Sequence, residues 1–387
     1  MDILVNGTPL LAPLTGIGQY VRHLFSAMDK MPEAKLRMYY GLHCEEGMHM
    51  PTVRSVQATQ RLYGFAQRLL PRPRSLKKLT EKLLFKYHTR GDFDNTIYHE
   101  PNYIAMPFNG PMVLTVCDLS CFEHPEAHPR ERIQLLQRDM PASIERADHI
   151  IVISESTGAA LRRCFNIDSS RMTTTYLAAD ARFHPVDADL LRPKLAALGL
   201  MPGHYLLSVG TLEPRKNLPA LFSAYAGLPA ALRKRYPLVV AGMRGWNTVD
   251  LMASAQALIN SGELLLLGYV EDALIPALFA GAATFCYPSR YEGFGLPALE
   301  AMACGVPVVT SNQTSLPEVV GPAGMMVDPD DVDAMRESLQ RLLEDRAYAA
   351  ALGQLGLARA KSFSWERCAI ETFSVYKQVL DARGQPS

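Results

Sequence analysis

No run of the sequence approaches about 18 consecutive apolar residues, so nothing in it reads as a transmembrane helix. The opening, MDILVNGTPLL, lacks a basic segment followed by a long apolar stretch, so no secretory leader is expected. The seven cysteines (Cys44, Cys117, Cys121, Cys164, Cys286, Cys304 and Cys368) are odd in number, scattered and never in a CxxC pair. They read as free thiols of a reducing compartment rather than a disulfide framework or a zinc site. The histidines show no HExxH or comparable spacing. There is no repeat of 20–50 residues and no low-complexity tract. Net charge is also missing, with 39 Lys and Arg against 39 Asp and Glu. That balance disfavours nucleic-acid binding by the whole molecule, which leans on clustered positive charge.

What is present is ordinary for a globular chain: 387 residues, 48% apolar and 20% charged. The length exceeds what one hydrophobic core usually serves, and two domains are expected. In the first half, strands are predicted at Ile3–Val5, Asn95–Tyr98, Met112–Val116 and His149–Ile153. Tyr20, Val21, Leu24, Phe25 and Met28 recur at helical spacing after a Gly/Pro-rich loop that runs to Gly18. In the second half, strands are predicted at Tyr205–Val209, Pro237–Ala241, Leu264–Leu267, Thr284–Tyr287 and Pro307–Thr310. Helices are expected at Asn217–Ala226 and Pro297–Cys304. The stretch Arg182–Pro202, with Pro185, Pro193 and Pro202, marks the boundary between the halves. Strands alternating with helices imply parallel βαβ units, hence an α/β chain of two doubly wound domains facing a cleft. Ligands of such sheets bind outside the carboxyl ends of the strands.

Two segments carry chemistry. In the run Ser289–Gly305, Pro297 suits the first turn of a helix and Gly305 its C-terminal cap. Gly293, Phe294, Gly295 and Leu296 then form a loop at a helix N-terminus, where backbone amides favour an anion or a hydroxyl. Glu292 precedes this helix and Glu300 lies within it. Two carboxylates fit a sugar whose hydroxyls they accept from, while the amides take a phosphate. The second segment, Glu213-Pro-Arg-Lys-Asn217, follows a strand and precedes a helix. Arg215 and Lys216 there oppose the helix dipole but would neutralise a diphosphate.

Together with Gly16-Ile-Gly18, the Glu292-x7-Glu300 run and its GFGLP loop resemble the retaining glycosyltransferases of family 4, which have the GT-B fold. The resemblance covers nearly the whole chain, in particular to the bacterial mannosyltransferase or rhamnosyltransferase type of O-antigen and surface-polysaccharide synthesis. It implies two Rossmann-like domains: residues 1–185 on the acceptor side, completed by a C-terminal helix 366–387 that crosses back, and residues 186–365 for the nucleotide sugar. It implies a catalytic group of Glu292, Lys216 and Arg215. Donor contacts would come from Glu300, Gly293, Phe294, Gly295, Leu296, Gly16, Gly18 and Val270. Gly268, Tyr269 and Val270 fall where relatives meet the base edge with backbone groups. The implied reaction moves a hexosyl unit, mannose or a 6-deoxyhexose such as rhamnose, from a GDP-linked donor to a lipid-linked glycan. It needs neither cofactor nor metal. The implied setting is cytoplasmic, peripheral on the inner face of the cytoplasmic membrane, with other glycosyltransferases of the same pathway as further partners. A sugar-nucleotide epimerase or phosphorylase of the same fold, and a non-catalytic partner subunit, are the alternatives.

Two positions depart from the family pattern. Cys117-Asp118-Leu119 stands where relatives often read His-Asp-Leu, and a thiol neither holds a proton like imidazole nor hydrogen-bonds strongly. That loss suits a 6-deoxy donor, and His124 is the nearby candidate to replace the missing group, alongside Cys117 and Asp118 as sugar or acceptor contacts. Thr211 stands where some relatives carry an extra arginine. Of three DxD triplets (Asp92-Phe-Asp94, Asp187-Ala-Asp189 and Asp328-Pro-Asp330) none is read as a metal site, and Asp330 is expected to cap the helix Val332–Leu343. Trp246 and Trp365 require no binding role. The last helix is expected to bury Ile370, Phe373, Tyr376 and Val379.

Residues 61–90 hold nine Lys or Arg and one Glu, so the rest of the chain carries −8 and the overall zero is a cancellation. Leu76, Leu79, Leu83 and Leu84 form a stripe with Lys77, Lys78, Lys82 and Lys86 beside it. Such a helix reads either as an anionic-membrane contact or as a surface helix packing its leucines inward, and both can hold.

Overall fold

A computed structural model describes residues 1–11, 16–41, 43–50, 73–91, 96–246 and 249–384. Among them, two sheets follow one another along the chain. The first comprises β1 (Asp2–Asn6), β2 (Lys35–Tyr39), β3 (Cys44–Glu46), β4 (Thr96–Glu100), β5 (Met112–Val116), β6 (His149–Val152) and β7 (Met172–Thr174), in the order β3-β2-β1-β4-β5-β6-β7. The second comprises β8 (Leu206–Val209), β9 (Leu238–Ala241), β10 (Leu264–Gly268), β11 (Thr284–Tyr287), β12 (Val308–Ser311) and β13 (Met325–Val327), in the order β10-β9-β8-β11-β12-β13. Every pairing but β2–β3 is parallel.

Central strands such as β5 (MVLTV) and β11 (TFCY) are buried at every residue. Helices cover both faces of a parallel sheet, so these strands are continuously apolar instead of alternating. In each sheet the order reverses at one point, between β1 and β4 and between β8 and β11. The loops leaving the carboxyl ends of two such neighbours diverge and open a crevice. The expected two-domain GT-B architecture is therefore what the chain adopts.

The helix Trp365–Gly384 packs into the first domain's core through Trp365, Cys368, Phe373, Tyr376 and Val379. The Tyr376 hydroxyl bonds Nδ1 of the buried His99, and Arg383 pairs with Asp148 at 2.7 Å. Ile370, expected on the buried face, is 56% exposed instead. The edge strands β3, β7 and β13, and β2 next to the edge, are not expected from the sequence, because they are only three residues long or, in β2, broken by Lys35 and Arg37. The first long helix starts at Gly16, before the end of the predicted loop. Asp331, not Asp330, caps the helix Val332–Glu344 by accepting from the Ala334 amide at 2.8 Å. Asp330 pairs with Arg290 at 2.5 Å instead. The triplet Asp92-Phe-Asp94 lies outside the described residues.

Candidate functional site

The chain leaves β8 at Val209, turns through Gly210 and forms a single 3-10 turn at Pro214–Lys216. It leaves the neighbouring strand β11 at Tyr287 and reaches Glu292 before the helix Leu296–Ala303 begins. Strand adjacency thus brings together segments about 76 residues apart in sequence. Glu292 accepts from Lys216 Nζ at 2.6 Å through Oε1 and from Arg215 Nη1 at 2.9 Å through Oε2. Its amide donates to Thr314 Oγ1 at 3.0 Å.

The cluster has further members. Arg215 also pairs with Glu213 at 2.6 Å and donates to the Tyr291 carbonyl at 2.9 Å. Lys216 donates to the Tyr287 hydroxyl at 2.5 Å and lies over that ring at 4.8 Å. Glu213, Lys216 and Glu292 are all buried. Burial alone would raise the Glu292 carboxyl, but Arg215 and Lys216 outweigh it and hold its pKa at about 2. Burial lowers the Lys216 pKa, Arg215 adds to the lowering, and Glu292 opposes it. Glu292 is a fixed anion clasped by two cations, unable to act as a general acid. Neither Glu213 nor Tyr287 was singled out in the sequence. Glu213 stands in the same five-residue segment as its partner Arg215, whereas nothing local to Tyr287 announces its role.

The loop before the helix Leu296–Ala303 is tightly specified. Gly295 has φ +104°, a left-handed conformation, and a Cβ there would lie 2.7 Å from Leu316. No side chain caps this helix; Pro297 has no N–H and the Ala298 and Leu299 amides donate to the Gly295 carbonyl at 3.0 and 3.3 Å, which leaves the Leu296 amide of the first turn to an incoming anion. Phe294 faces inward, with its ring 5.8 Å from that of Phe363, so only its backbone is free to meet a ligand. Val270 likewise sits in the core of the second domain, while Tyr269 is 65% exposed.

Glu300 does not join the Glu292 cluster. It is half-buried, and no donor among the described residues bonds its carboxylate. Burial, reinforced by Asp180, pushes its pKa up to about 8, against the pull of Arg182. A carboxyl in that state both donates and accepts, which suits a pair of vicinal hydroxyls.

The first domain faces this site with the end of β5. Cys117 is buried, its thiol pKa is pushed up by burial and by Asp118, and its sulfur reaches the Pro101 carbonyl at 4.0 Å. It is therefore a neutral thiol. Asp118 is bonded by Ser120 Oγ at 2.6 Å and by the Tyr103 hydroxyl at 3.0 Å. Burial would raise its pKa, but Arg215 and the bonds from Ser120 leave it lowered. His124 is turned outward to Glu126 at 3.1 Å, its ring 5.4 Å from that of Tyr291. Gly16 and Gly18 sit in the first turn of the helix Gly16–Met28, and Gly16 has open space around it. Trp246 ties the domains together, its indole N–H donating to the Ala127 carbonyl.

Residues 200–358 match the family model described as glycosyl transferases group 1. The O-antigen chain mannosyltransferase B of Escherichia coli is 37% identical over 386 residues, which covers 97% of this chain and all of that protein. Among solved structures, the sucrose-phosphate synthase of Thermosynechococcus elongatus superposes with a TM-score of 0.73 at 22% identity, covering 98% of this chain and 99% of that one. WaaG, a glycosyltransferase involved in lipopolysaccharide biosynthesis, superposes with a TM-score of 0.69 at 16% identity, covering 97% and 99%. Whole-length similarity, the two switch-point sheets and the matched second domain make this chain a member of the group 1 glycosyltransferases, retaining enzymes of family 4 with the GT-B fold.

Proposed function

We propose that this glycosyltransferase moves a mannosyl unit, with retention, from a GDP-linked donor to a lipid-linked glycan of the O-antigen type. The whole-length likeness to an O-antigen mannosyltransferase supports the sugar and the acceptor class. The observation that carries the chemistry is Glu292 held between Arg215 and Lys216. In the step, the bond from the anomeric carbon to the diphosphate oxygen breaks. The acceptor oxygen bonds that carbon on the same face, and its proton passes to the departing phosphate oxygen. Arg215 and Lys216 offset the charge that develops on the diphosphate, so the step is written without a metal. The Glu292 carboxylate stabilises the positive charge on the sugar ring. Glu300 takes the ribose hydroxyls, and the amides of Gly293 to Leu296 face the diphosphate.

Rhamnose is the second reading. Cys117 carries it, because a neutral thiol turned to Pro101 offers a 6-hydroxyl little. A thermal-shift and turnover screen of GDP-mannose, GDP-rhamnose and UDP-sugars decides between them. At 100-fold over Kd the true donor stabilises the fold by about 2.7 kcal/mol. Stabilisation and turnover with GDP-mannose are expected. A preference for GDP-rhamnose would transfer the proposal to the deoxy sugar, and a response to UDP-sugars alone would overturn the guanine assignment.

We propose in addition that the helix Pro73–His88 rests on an anionic bilayer. Lys82 and Lys86 are exposed one turn apart on its outer side, and Arg90, just past its end, lies over the Tyr87 ring at 5.2 Å. Between them Leu83 and Tyr87 stand 59% and 61% exposed.

A further inference from the structure

The helix Arg130–Arg146 opens with groups that the donor site does not use. His128, just ahead of it, is 6% exposed, and neither Nδ1 nor Nε2 has a hydrogen-bond partner. An imidazole left so costs about 1–3 kcal/mol for each unpaired group, a cost the fold has reason to bear if a ligand completes the bonds. Arg132 lies in the first turn of the same helix, where the macrodipole favours an anion. It is half-buried, and no carboxylate among the described residues pairs with it. Asp118, Glu213, Tyr103 and Cys121 are close enough to act on its charge. Trp246, from the second domain, lies over the imidazole with ring centroids 5.7 Å apart and planes inclined by 36°.

Burial lowers the His128 pKa to about 4, and Arg132 adds to the lowering. Asp118, Arg215 and Glu126 also act on it, so the groups facing the ring from both domains leave it neutral at physiological pH. A neutral imidazole donates at one nitrogen and accepts at the other, matching a hydroxyl that does both. Arg132 donates only, and an uncharged sugar asks for no counter-carboxylate. An indole offers the flat apolar surface that the C–H face of a sugar ring needs.

We propose that His128, Arg132 and Trp246 form the subsite for the terminal sugar of the acceptor glycan, the first two bonding its ring hydroxyls and the indole covering its apolar face. The inference rests on the transferase reading above. Glu292, Glu300, Arg215 and Lys216 all belong to the second domain and account for the donor. His128 and Arg132 belong to the first, on the opposite wall, next to Asp118 and within the field of Arg215. Admission of the sugar requires the indole to leave the Ala127 carbonyl, so Trp246 is both a cover and part of the subsite.

The test is steady-state kinetics of the full chain on a synthetic oligomannoside with an octyl tail, together with donor hydrolysis without acceptor and thermal shift by GDP-mannose. His128→Phe, Arg132→Gln and Trp246→Leu should each raise the acceptor KM about ten-fold, the scale of one lost hydrogen bond. Donor hydrolysis and the thermal shift should stay within about two-fold, and Trp246→Phe should recover most of the acceptor affinity. If His128→Phe does not fold, Arg132→Gln and Trp246→Leu carry the test. An unchanged acceptor KM, or a donor affinity that falls along with it, overturns the assignment. If the unaltered chain neither hydrolyses nor transfers from any nucleotide sugar, the transferase reading itself has failed, which no result on the variants can imitate.

Discussion

Glu292 is the residue on which stability and chemistry meet. From the sequence alone it reads as a cleft carboxylate whose loss would stop transfer and leave the fold's melting temperature nearly unchanged. The structure says otherwise about the second part. Lys216 is 8% exposed and Glu292 7%, so removing the anion strands a buried ammonium beside a second cation. Breaking a buried pair from one side costs about 3–5 kcal/mol. Glu292→Ala is therefore expected to abolish transfer and also lower Tm by several degrees. GDP-mannose should raise the variant's Tm by more than it raises the parent's, because the diphosphate re-pairs Arg215 and Lys216. Differential scanning with and without donor checks this, and an unchanged Tm would show the cations to be solvated. The pH sign follows from the same geometry. The folded pKa of about 2 lies below that of an unfolded glutamate, near about 4.3. The stabilisation from this pair is thus fully present above pH of about 4.3 and lost as pH falls toward 2. Glu292 therefore contributes no limb of activity near neutrality, whereas Glu300, whose neutral carboxyl is the form that both donates and accepts, is expected to give an alkaline limb near 8.

Elements were legible in proportion to their apolar content. β11 was found at its exact bounds because Thr284–Tyr287 is continuously buried, while the polar edge strand β3 (Cys44–Glu46) was invisible. The helix start at Leu296 followed from Pro297, and its end from Gly305, whose φ is +75°. The convergence of Arg215, Lys216 and Glu292 was foreseen only through resemblance, since local pattern does not say which strands are neighbours. His128 and Arg132 escaped notice because no motif marks a histidine whose partners are missing. The basic helix shows a further limit. Leu83, a member of the leucine stripe, points outward, and Phe85, which is not in that stripe, anchors the helix with its ring 4.9 Å from that of Tyr39. The side chains of Leu76, Lys77, Lys78 and Leu79, and all of residues 61–72, lie outside the described residues. An outward Leu83 and Tyr87 among Lys82, Lys86 and Arg90 fit an interfacial surface better than a packed one. Flotation with liposomes rich in phosphatidylglycerol should fall for Lys82→Glu with Lys86→Glu, and separately for Leu83→Ser with Tyr87→Ser. Added salt should weaken binding of the parent. Flotation unchanged in both double variants would remove the membrane from the account.

At the scale of the molecule, the cleft is held by a few contacts that cross between domains. The Tyr291 hydroxyl accepts from the Leu119 amide at 3.2 Å, and Thr157 Oγ1 donates to the Gly293 carbonyl at 3.3 Å. Glu318 accepts from the amides of Glu155 and Ser156 at 2.8 and 2.7 Å, an anion at a helix N-terminus supplied from the other domain. Arg22 reaches Asp272 at 3.7 Å. The closest approach is at Gly293, where a Cβ would lie 2.0 Å from the Cys117 carbonyl oxygen, an impossible contact with backbone. Gly293 does not have a positive φ, so alanine there carries no backbone strain of its own. Gly293→Ala thus acts almost wholly as a wedge between domains. Each domain keeps its own sheet, and of the second domain's apolar residues Phe294, Leu299 and Val319 pack against the first domain's core, so the fold should persist, with far-UV circular dichroism unchanged and a loss in Tm confined to that contact. The cleft cannot close to the observed spacing, and Asp118, His128 and Arg132 are carried away from Arg215 and Glu292. Small-angle scattering should give a larger radius of gyration than for the parent. Transfer should fall at least about 100-fold, as a misplacement of about 1 Å can cost. Stabilisation by GDP-mannose should be largely retained, because its contacts come mainly from the second domain. If scattering is unchanged while donor stabilisation disappears, Gly293 serves the donor directly and closure is not what it controls.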